Sequence, residues 1–177
     1  SLPEVIDNIL EIGAALNVPE RAAALAEVMR VQLRAAPAPA KRPRILVEWW
    51  PKPLIVPGRQ SWATDLLERA GACNPWGARD CESLPIEWEE ARDAAPDAIV
   101  ISWCGVREEN YRPDVVRRRP GWTEVPAVRH ERIFAVSEAY LGRPGPRLVK
   151  GLQMLRTIVA ACQSGWPPPT PSLPSPS

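Results

Sequence analysis

Three short apolar runs constrain the fold of this chain more than any other feature. They occupy residues 44–49, 98–103 and 131–136, and segments with helical spacing or turn residues separate them. Short runs that end at turn residues are typical of buried β-strands. Strands that alternate with helices favour a parallel sheet with helices on both faces. The sequence therefore predicts an α/β fold, a three-layer αβα lobe with a mostly parallel sheet.

Helical spacing dominates residues 1–36, which predict a helical hairpin in front of this lobe. Ser1 and Glu4 have the spacing of a capping box, and apolar residues recur as far as Leu16. Pro19 is typical of a first helical turn and begins the second helix. Further helices are predicted over residues 61–70, 87–94, 114–118 and 145–162.

Composition divides the chain into three parts. Residues 1–36 form the helical segment, and the stiff linker Pro37–Ala40 joins it to an α/β lobe over residues 41–164. Residues 166–177 are rich in proline and serine, a composition typical of disorder.

The charge balance and the missing catalytic motifs argue against several classes of function. The 22 Lys and Arg nearly cancel the 21 Asp and Glu, so no general field attracts nucleic acid, and no nucleic-acid partner is predicted. His130 is the single histidine, and no nucleotide-binding glycine motif or nucleophile motif occurs. We therefore predict no catalytic residue, no metal site and no cofactor, and an enzyme or a nucleic-acid-binding module is the weaker alternative.

Polar and aromatic residues follow the three predicted strands at the edge where parallel sheets bind ligands. Trp49 and Trp50 are adjacent, so in a strand their side chains point to opposite faces and cannot both pack in one core. The alternative is that the tryptophans at this edge only pack in the core and its rim. The candidate ligand-binding residues are Glu48, Trp49, Trp50, Trp62, Ser102, Trp103, Glu138 and Arg143.

Two further pairs of residues leave alternatives open. Cys73 and Cys81 flank a loop, so they form a disulfide or are ordinary small buried residues. Glu89 and Glu90 are adjacent on a predicted helix, where neighbouring side chains diverge. That divergence makes the two carboxylates poor partners for acid–base chemistry and favours a solvated helix face.

Six motifs follow one another along the lobe: Glu48–Leu54, Pro57–Trp62, Ala70–Asn74, Pro96–Ile101, Arg119–Val136 and Arg143–Leu152. In this order they resemble the C-terminal lobe of the cobalamin-type solute-binding proteins of ABC importers. The match as a whole covers essentially residues 1–163.

The resemblance implies a fold of two α/β lobes that are joined by one long rigid helix and hold a ligand between them. Residues 1–36 resemble the end of the first lobe and the connecting helix, and the first lobe itself is absent from this chain. The chain is then either a fragment or a protein with a single lobe. A half-cleft exposed in this way favours self-association through its apolar surface.

The function implied by the resemblance is non-catalytic: capture of a solute outside the cytoplasm and its delivery to an ABC permease. The parent would carry a signal peptide and work in the periplasm. We expect a corrinoid as ligand, because Trp faces bury a rigid macrocycle and Arg143 and Ser102 can bind its polar groups. Haem or a ferric siderophore is the alternative, although a siderophore favours more Arg and Tyr.

The same resemblance implies a docking role for two acidic residues. In the family, acidic residues on top of each lobe bind arginines of the permease. Glu89 is the best match to that position in this chain, with Glu90 beside it. A plain solvated helix is the alternative for both.

Overall fold

The computed structural model describes residues 1–35, 37 and 39–164. Its α-helices are α1 (Leu2–Ala15), α2 (Pro19–Gln32), α3 (Trp62–Ala70), α4 (Trp88–Asp93), α5 (Pro113–Arg117), α6 (Pro126–Arg129), α7 (Glu138–Leu141) and α8 (Leu148–Gln163). Its strands are β1 (Ile45–Glu48), β2 (Trp50–Pro51), β3 (Leu54–Pro57), β4 (Ser83–Ile86), β5 (Ala98–Ile101) and β6 (Ile133–Ala135). The predicted tail 166–177 lies outside the described residues.

The three predicted strands form one parallel sheet in the order β1–β5–β6. Ile45 pairs with Ala98, and Ile99 pairs with Ile133. Every residue of β1 and β5 is buried, as expected for a parallel sheet that is covered on both faces. The α/β fold with a mostly parallel sheet is therefore confirmed.

A second, antiparallel sheet in the order β2–β3–β4 is the part of the fold that the sequence prediction missed. The sequence indicated a turn after Trp50 and a loop over residues 72–84. Each of these strands contains a proline: Pro51, Pro57 and Pro85 respectively. Proline cannot donate to a strand ladder, so these segments read as turns and form only short strands.

The parallel sheet separates two apolar cores, because strand side chains alternate between faces. Ile45 and Val47 pack into the first core with residues of α1, α2, α3 and α8. Leu46 packs into the second core, where the antiparallel sheet and short helices cover the sheet. Trp122 is completely buried in this second core.

Residues before the lobe fold as a hairpin of two 14-residue helices, α1 and α2. The hairpin is tight, because a Cβ atom added at Gly13 would lie 2.1 Å from the Cβ of Ala22. Its inner face contributes Leu2, Val5 and Met29 to the first core. The predicted hairpin is therefore present, and an inter-lobe connecting role for it stays a prediction.

The structure places both cysteines of the proposed disulfide as free thiols, so the disulfide alternative is wrong. Cys73 is bonded through its backbone to Pro43 and Ile45 at the start of β1. Cys81 lies elsewhere, against Gly58. A disulfide needs Cβ atoms about 4 Å apart, and these two residues have different neighbours. Cys73 is also exposed, which contradicts the buried alternative for that residue.

Candidate functional site

The loops that follow the three parallel strands meet at one edge of the sheet. The Cys104 amide donates to the Trp49 carbonyl over 3.0 Å and so joins the loops after β1 and β5. The Gly105 amide donates to Glu138 Oε2 over 2.9 Å and joins the loops after β5 and β6. The predicted edge is therefore a continuous surface built from three separate segments.

Tyr111 bridges the loops after β5 and β6 at this edge, and it was not identified from the sequence. Its hydroxyl donates to the Trp103 carbonyl and accepts from the Glu138 amide, both over 3.2 Å. Its ring packs edge-on against the Trp103 indole, with the ring centroids 5.8 Å apart. No local pattern marks Tyr111, because it lies in a loop and its partners are 8 and 27 residues away.

Half of the predicted ligand-binding residues lie inside the lobe. Glu48 and Ser102 have no exposed surface, so their assignment to a ligand-contacting surface is wrong for this arrangement. Trp49 and Trp103 retain only 8% and 6% exposure. The physical reason is alternation: Trp49 points into the first core and Glu48 into the second, and only the next residue, Trp50, reaches the surface.

Glu48 forms a buried ion pair, which explains a carboxylate at the end of an apolar strand. Arg119 Nη2 lies 2.8 Å from Glu48 Oε1, and the Trp103 Nε1–H donates to the same oxygen over 2.8 Å. The Arg119 guanidinium lies 4.7 Å from the Trp122 ring centroid and 5.4 Å from that of Trp88. A buried charge needs such a partner, since an unpaired one is very costly.

Four of the predicted residues form the accessible part of the edge: Trp50, Trp62, Glu138 and Arg143, called here the ligand wall. Trp50 is 40% exposed, and the Arg143 side chain is 69% exposed. Arg143 Nη2 donates to Glu138 Oε1 over 2.7 Å. Trp62 is half-buried and donates from Nε1 to the Leu141 carbonyl over 2.7 Å. The wall thus combines indole surface with a guanidinium.

Beside the ligand wall lies a groove of about 660 Å³ between the N-terminal ends of α1 and α3. Trp62 and Gln60 line one side of the groove, and Glu4 and Asn8 of α1 line the other. Pro144, which follows Arg143 of the wall, also contributes to the lining. The wall therefore continues into a concave surface that is large enough for part of a small-molecule ligand.

Arg143 holds the pKa of Glu138 below its ordinary value, mainly through their hydrogen bond and then through the Gly105 amide. Burial raises the pKa of the Cys104 thiol, and the nearby Glu138 carboxylate adds to that effect. The edge therefore carries an ionised carboxylate and a neutral thiol at neutral pH.

This shift predicts a pH-dependent contribution of Glu138 to stability. A carboxylate whose pKa is lowered on folding stabilises the folded state at pH values above its unfolded pKa of about 4.3. This stabilisation is lost as the pH falls through the pKa of the folded state. We expect Glu138→Gln to be less stable than the wild type at pH 6, with a difference that narrows towards pH 3. Urea unfolding across this pH range measures the stability difference between the two proteins. A difference that stays constant with pH would contradict a lowered pKa of Glu138.

The two candidate docking residues lie in different surroundings on α4. Glu90 accepts from Trp76 Nε1 over 2.8 Å and lies 3.5 Å from Arg79 Nη2. Glu89 is exposed and lines a small surface groove with Trp88. Glu89 is therefore the more available carboxylate, whereas Glu90 is engaged within the lobe.

Metal-binding clusters and membrane-spanning helices are both absent from the described residues. In that part of the chain, no three His, Cys, Asp or Glu side chains come together in a way that could hold a metal ion. No helix of residues 1–35 or 39–164 has the length and apolar character needed to cross a membrane.

Comparison with known proteins identifies the family. The sequence profile of the family described as periplasmic binding protein matches residues 3–140 of this chain. The chain belongs to this family. The resemblance inferred from the six motifs is thereby confirmed at the level of the family.

Relatives of this periplasmic binding protein chain include an uncharacterised ABC transporter substrate-binding lipoprotein of Bacillus subtilis, 27% identical over 167 residues. That match covers 88% of this chain and 49% of the relative, so the chain spans about half the relative's length.

Solved structures of the family share the fold. The haem-binding protein RhuT of Roseiflexus is 26% identical, with a TM-score of 0.76 over 92% of this chain and 64% of RhuT. The haem-binding protein BhuT is 25% identical, with a TM-score of 0.75 over 93% of this chain and 64% of BhuT. The vitamin B12-binding protein BtuF of Vibrio cholerae, at 18% identity and a TM-score of 0.67 over 93% of this chain and 63% of BtuF, shows the fold alone.

Proposed function

We propose that this chain is the ligand-binding C-terminal lobe and connecting helix of a non-catalytic solute-binding protein of an ABC importer. The complete protein captures its solute between two lobes outside the cytoplasm and delivers it to a permease. Family membership and the lipoprotein relative support this proposal. The observation that carries it is the exposed Trp50 on the same sheet edge as Arg143, where all three parallel strands end.

A corrinoid is the ligand that we propose first. Exposed indole surface at Trp50, together with the half-buried Trp62, buries the apolar face of a rigid macrocycle at little entropic cost. Arg143 donates to amide or carboxylate groups at the macrocycle rim. The concave surface beside Trp62 gives room for the remainder of the ligand.

Haem is the second candidate, and a specific observation favours it. RhuT and BhuT, at 26% and 25% identity, are both haem-binding proteins. The Arg143 guanidinium can also donate hydrogen bonds to a propionate carboxylate of haem. A ferric siderophore has less support, because its negative charge favours more Arg and Tyr than the single Arg143 of the ligand wall supplies.

Trp50 is the residue whose loss tests this proposal. We expect Trp50→Ala in the full-length parent to weaken binding of cyanocobalamin or hemin about tenfold or more, which corresponds to about 1.4 kcal/mol. Isothermal titration calorimetry with each compound measures the affinity. Val28→Ala, which trims an exposed apolar side chain on α2, is the matched control and should leave the affinity unchanged.

Two results would count against the proposal. One is wild-type affinity in Trp50→Ala, which would remove Trp50 from the site. The other is no binding of either compound by the wild type at high concentration, which would reject the ligand class.

The permease partner is proposed to bind through Glu89. Its carboxylate is exposed on α4, and it lacks the internal partners that engage Glu90. Glu89→Lys in the full-length protein is expected to abolish most uptake while ligand affinity stays unchanged. Uptake at the wild-type rate would reject this docking role.

Self-association through the half-cleft also remains a proposal. Trp50 is the large apolar side chain that the ligand wall exposes most. Of the other exposed large apolar residues of the described chain, Val115 lies on α5. The remainder lie on the helical hairpin: Ile12, Leu16, Val18, Leu25, Val28 and Val31.

A further inference from the structure

Trp88 belongs to the helix that carries Glu89 and contacts the strand that carries Trp50 of the ligand wall. It is the first residue of α4, and its side chain is half-buried against the second core. Its Nε1–H donates to the Pro51 carbonyl over 3.4 Å. Pro51 forms β2 together with Trp50, so α4 is bonded directly to the strand that presents the exposed indole.

A second contact connects Trp88 to the same segment by a separate route. The Arg119 guanidinium lies between the rings of Trp88 and Trp122 and pairs with Glu48 at the end of β1. Glu48 and Pro51 flank the Trp49–Trp50 pair. Trp88 therefore contacts one end of the segment that carries Trp50 at Pro51, and Arg119 connects it indirectly to the other end at Glu48.

Other contacts hold α4 from a different side. Trp76 Nε1 donates to Glu90 Oε1 and connects the helix to the loop after Asn74. This bond does not involve β1 or β2. Trp76 and Trp88 thus each provide one indole N–H bond at α4, and of these two bonds that of Trp88 joins α4 to β2, the strand that carries Trp50.

We infer that Trp88 is a positioning residue that couples the segment of Trp50 to α4. A ligand bound at Trp50 therefore also stabilises α4, the helix that carries Glu89. This inference rests on the proposed function for its ligand and its docking helix. α4 has only six residues, so its order depends on its contacts with neighbouring segments. A ligand that restrains one end of such a unit reduces local opening at the other.

Hydrogen exchange of the full-length parent without ligand provides the first test. The amides of Trp49 and Cys104, called here the wall amides, report on the segment that carries Trp50, because they donate to the Ile55 and Trp49 carbonyls. The amides of Ala91 and Ala94 report on α4. We expect Trp88→Phe to speed exchange about fivefold at both sets, and the matched control Trp76→Phe to speed it only in α4. Unchanged wall amides in Trp88→Phe would overturn the inference.

Saturation with cyanocobalamin or hemin provides the second test. In the wild type, both sets of amides should exchange more slowly when the compound is bound. In Trp88→Phe, which removes the indole N–H but keeps a ring against Arg119, the slowing should persist at the wall and be clearly weaker in α4. Equal slowing of α4 in both proteins, or wall slowing without α4 slowing in the wild type, would overturn the inference. Absence of slowing everywhere would instead reject the proposed function, and the ligand-free comparison then decides the role of Trp88.

Discussion

Replacing Arg119 with leucine is expected to lower the free energy of unfolding by about 3–5 kcal/mol. The Arg119 and Glu48 side chains are 1% and 0% exposed, so the Glu48 carboxylate would stay buried without its cation. Among the described residues, the Trp103 Nε1–H would remain its one donor. One hydrogen bond from a neutral donor does not offset the desolvation of a charge.

A double-mutant cycle distinguishes the ion pair from ordinary packing. Glu48→Leu should cost a similar amount, because it leaves the guanidinium buried between two indoles. The double variant should cost clearly less than the sum of the two single variants, since it buries neither charge alone. Unfolding in guanidinium chloride at pH 7 measures the free energy of unfolding of all three variants.

Arg117 offers the matched control for this cycle. It forms an exposed ion pair with Asp114 over 2.7 Å, and its side chain is 44% exposed. Exposed pairs of this kind contribute about 0–1 kcal/mol, so Arg117→Leu should leave stability almost unchanged. If Arg119→Leu cost no more than Arg117→Leu, or if the cycle were additive, the buried pair would not stabilise the lobe as described.

Glu48 also shows where sequence reasoning reached its limit. The three parallel strands were predictable, because apolar runs with turn residues at their ends are local signals. The same signals placed Glu48 at a sheet edge, which is correct, and in a ligand surface, which is not. Its partner Arg119 is 71 residues away, and no spacing in the chain marks the two as a pair.

Helix ends were predictable because their signals lie in adjacent residues. The antiparallel sheet was not predictable, because its short strands carry no such local signal. α3 begins after Ser61, whose Oγ accepts from the Ala63 amide, and ends at Gly71 with a φ of +87°. Both signals are written in adjacent residues. β2 and β4 exist only because each pairs with β3, and their prolines masked them. Trp50 pairs with Ile55 in the tight β2–β3 hairpin, and β3 is held in turn by the distant strand β4.

The packing of α8 against α7 supports the ligand wall from behind, and Gly151 makes this packing possible. A Cβ atom added at Gly151 would lie 2.1 Å from the Tyr140 carbonyl oxygen and 3.0 Å from a Leu141 methyl group. The nearest obstacle is backbone, so relief requires one helix to move. α7 carries Glu138 of the wall at its start, and the Leu141 carbonyl at its end accepts from Trp62.

Gly151→Ala is therefore expected to destabilise the lobe by about 2–3 kcal/mol, even though alanine favours a helix more than glycine does. Displacement of α7 should also weaken binding of cyanocobalamin or hemin in the full-length parent, because Trp62 and Glu138 move with it. Gly145→Ala is the matched control, since an added Cβ there meets no atom within 4 Å. Chemical unfolding and calorimetry measure the two effects.

A Gly151→Ala variant as stable as Gly145→Ala would show that α7 and α8 can separate at no cost. Lost stability with unchanged ligand affinity would instead show that the ligand wall does not depend on how α7 packs against α8.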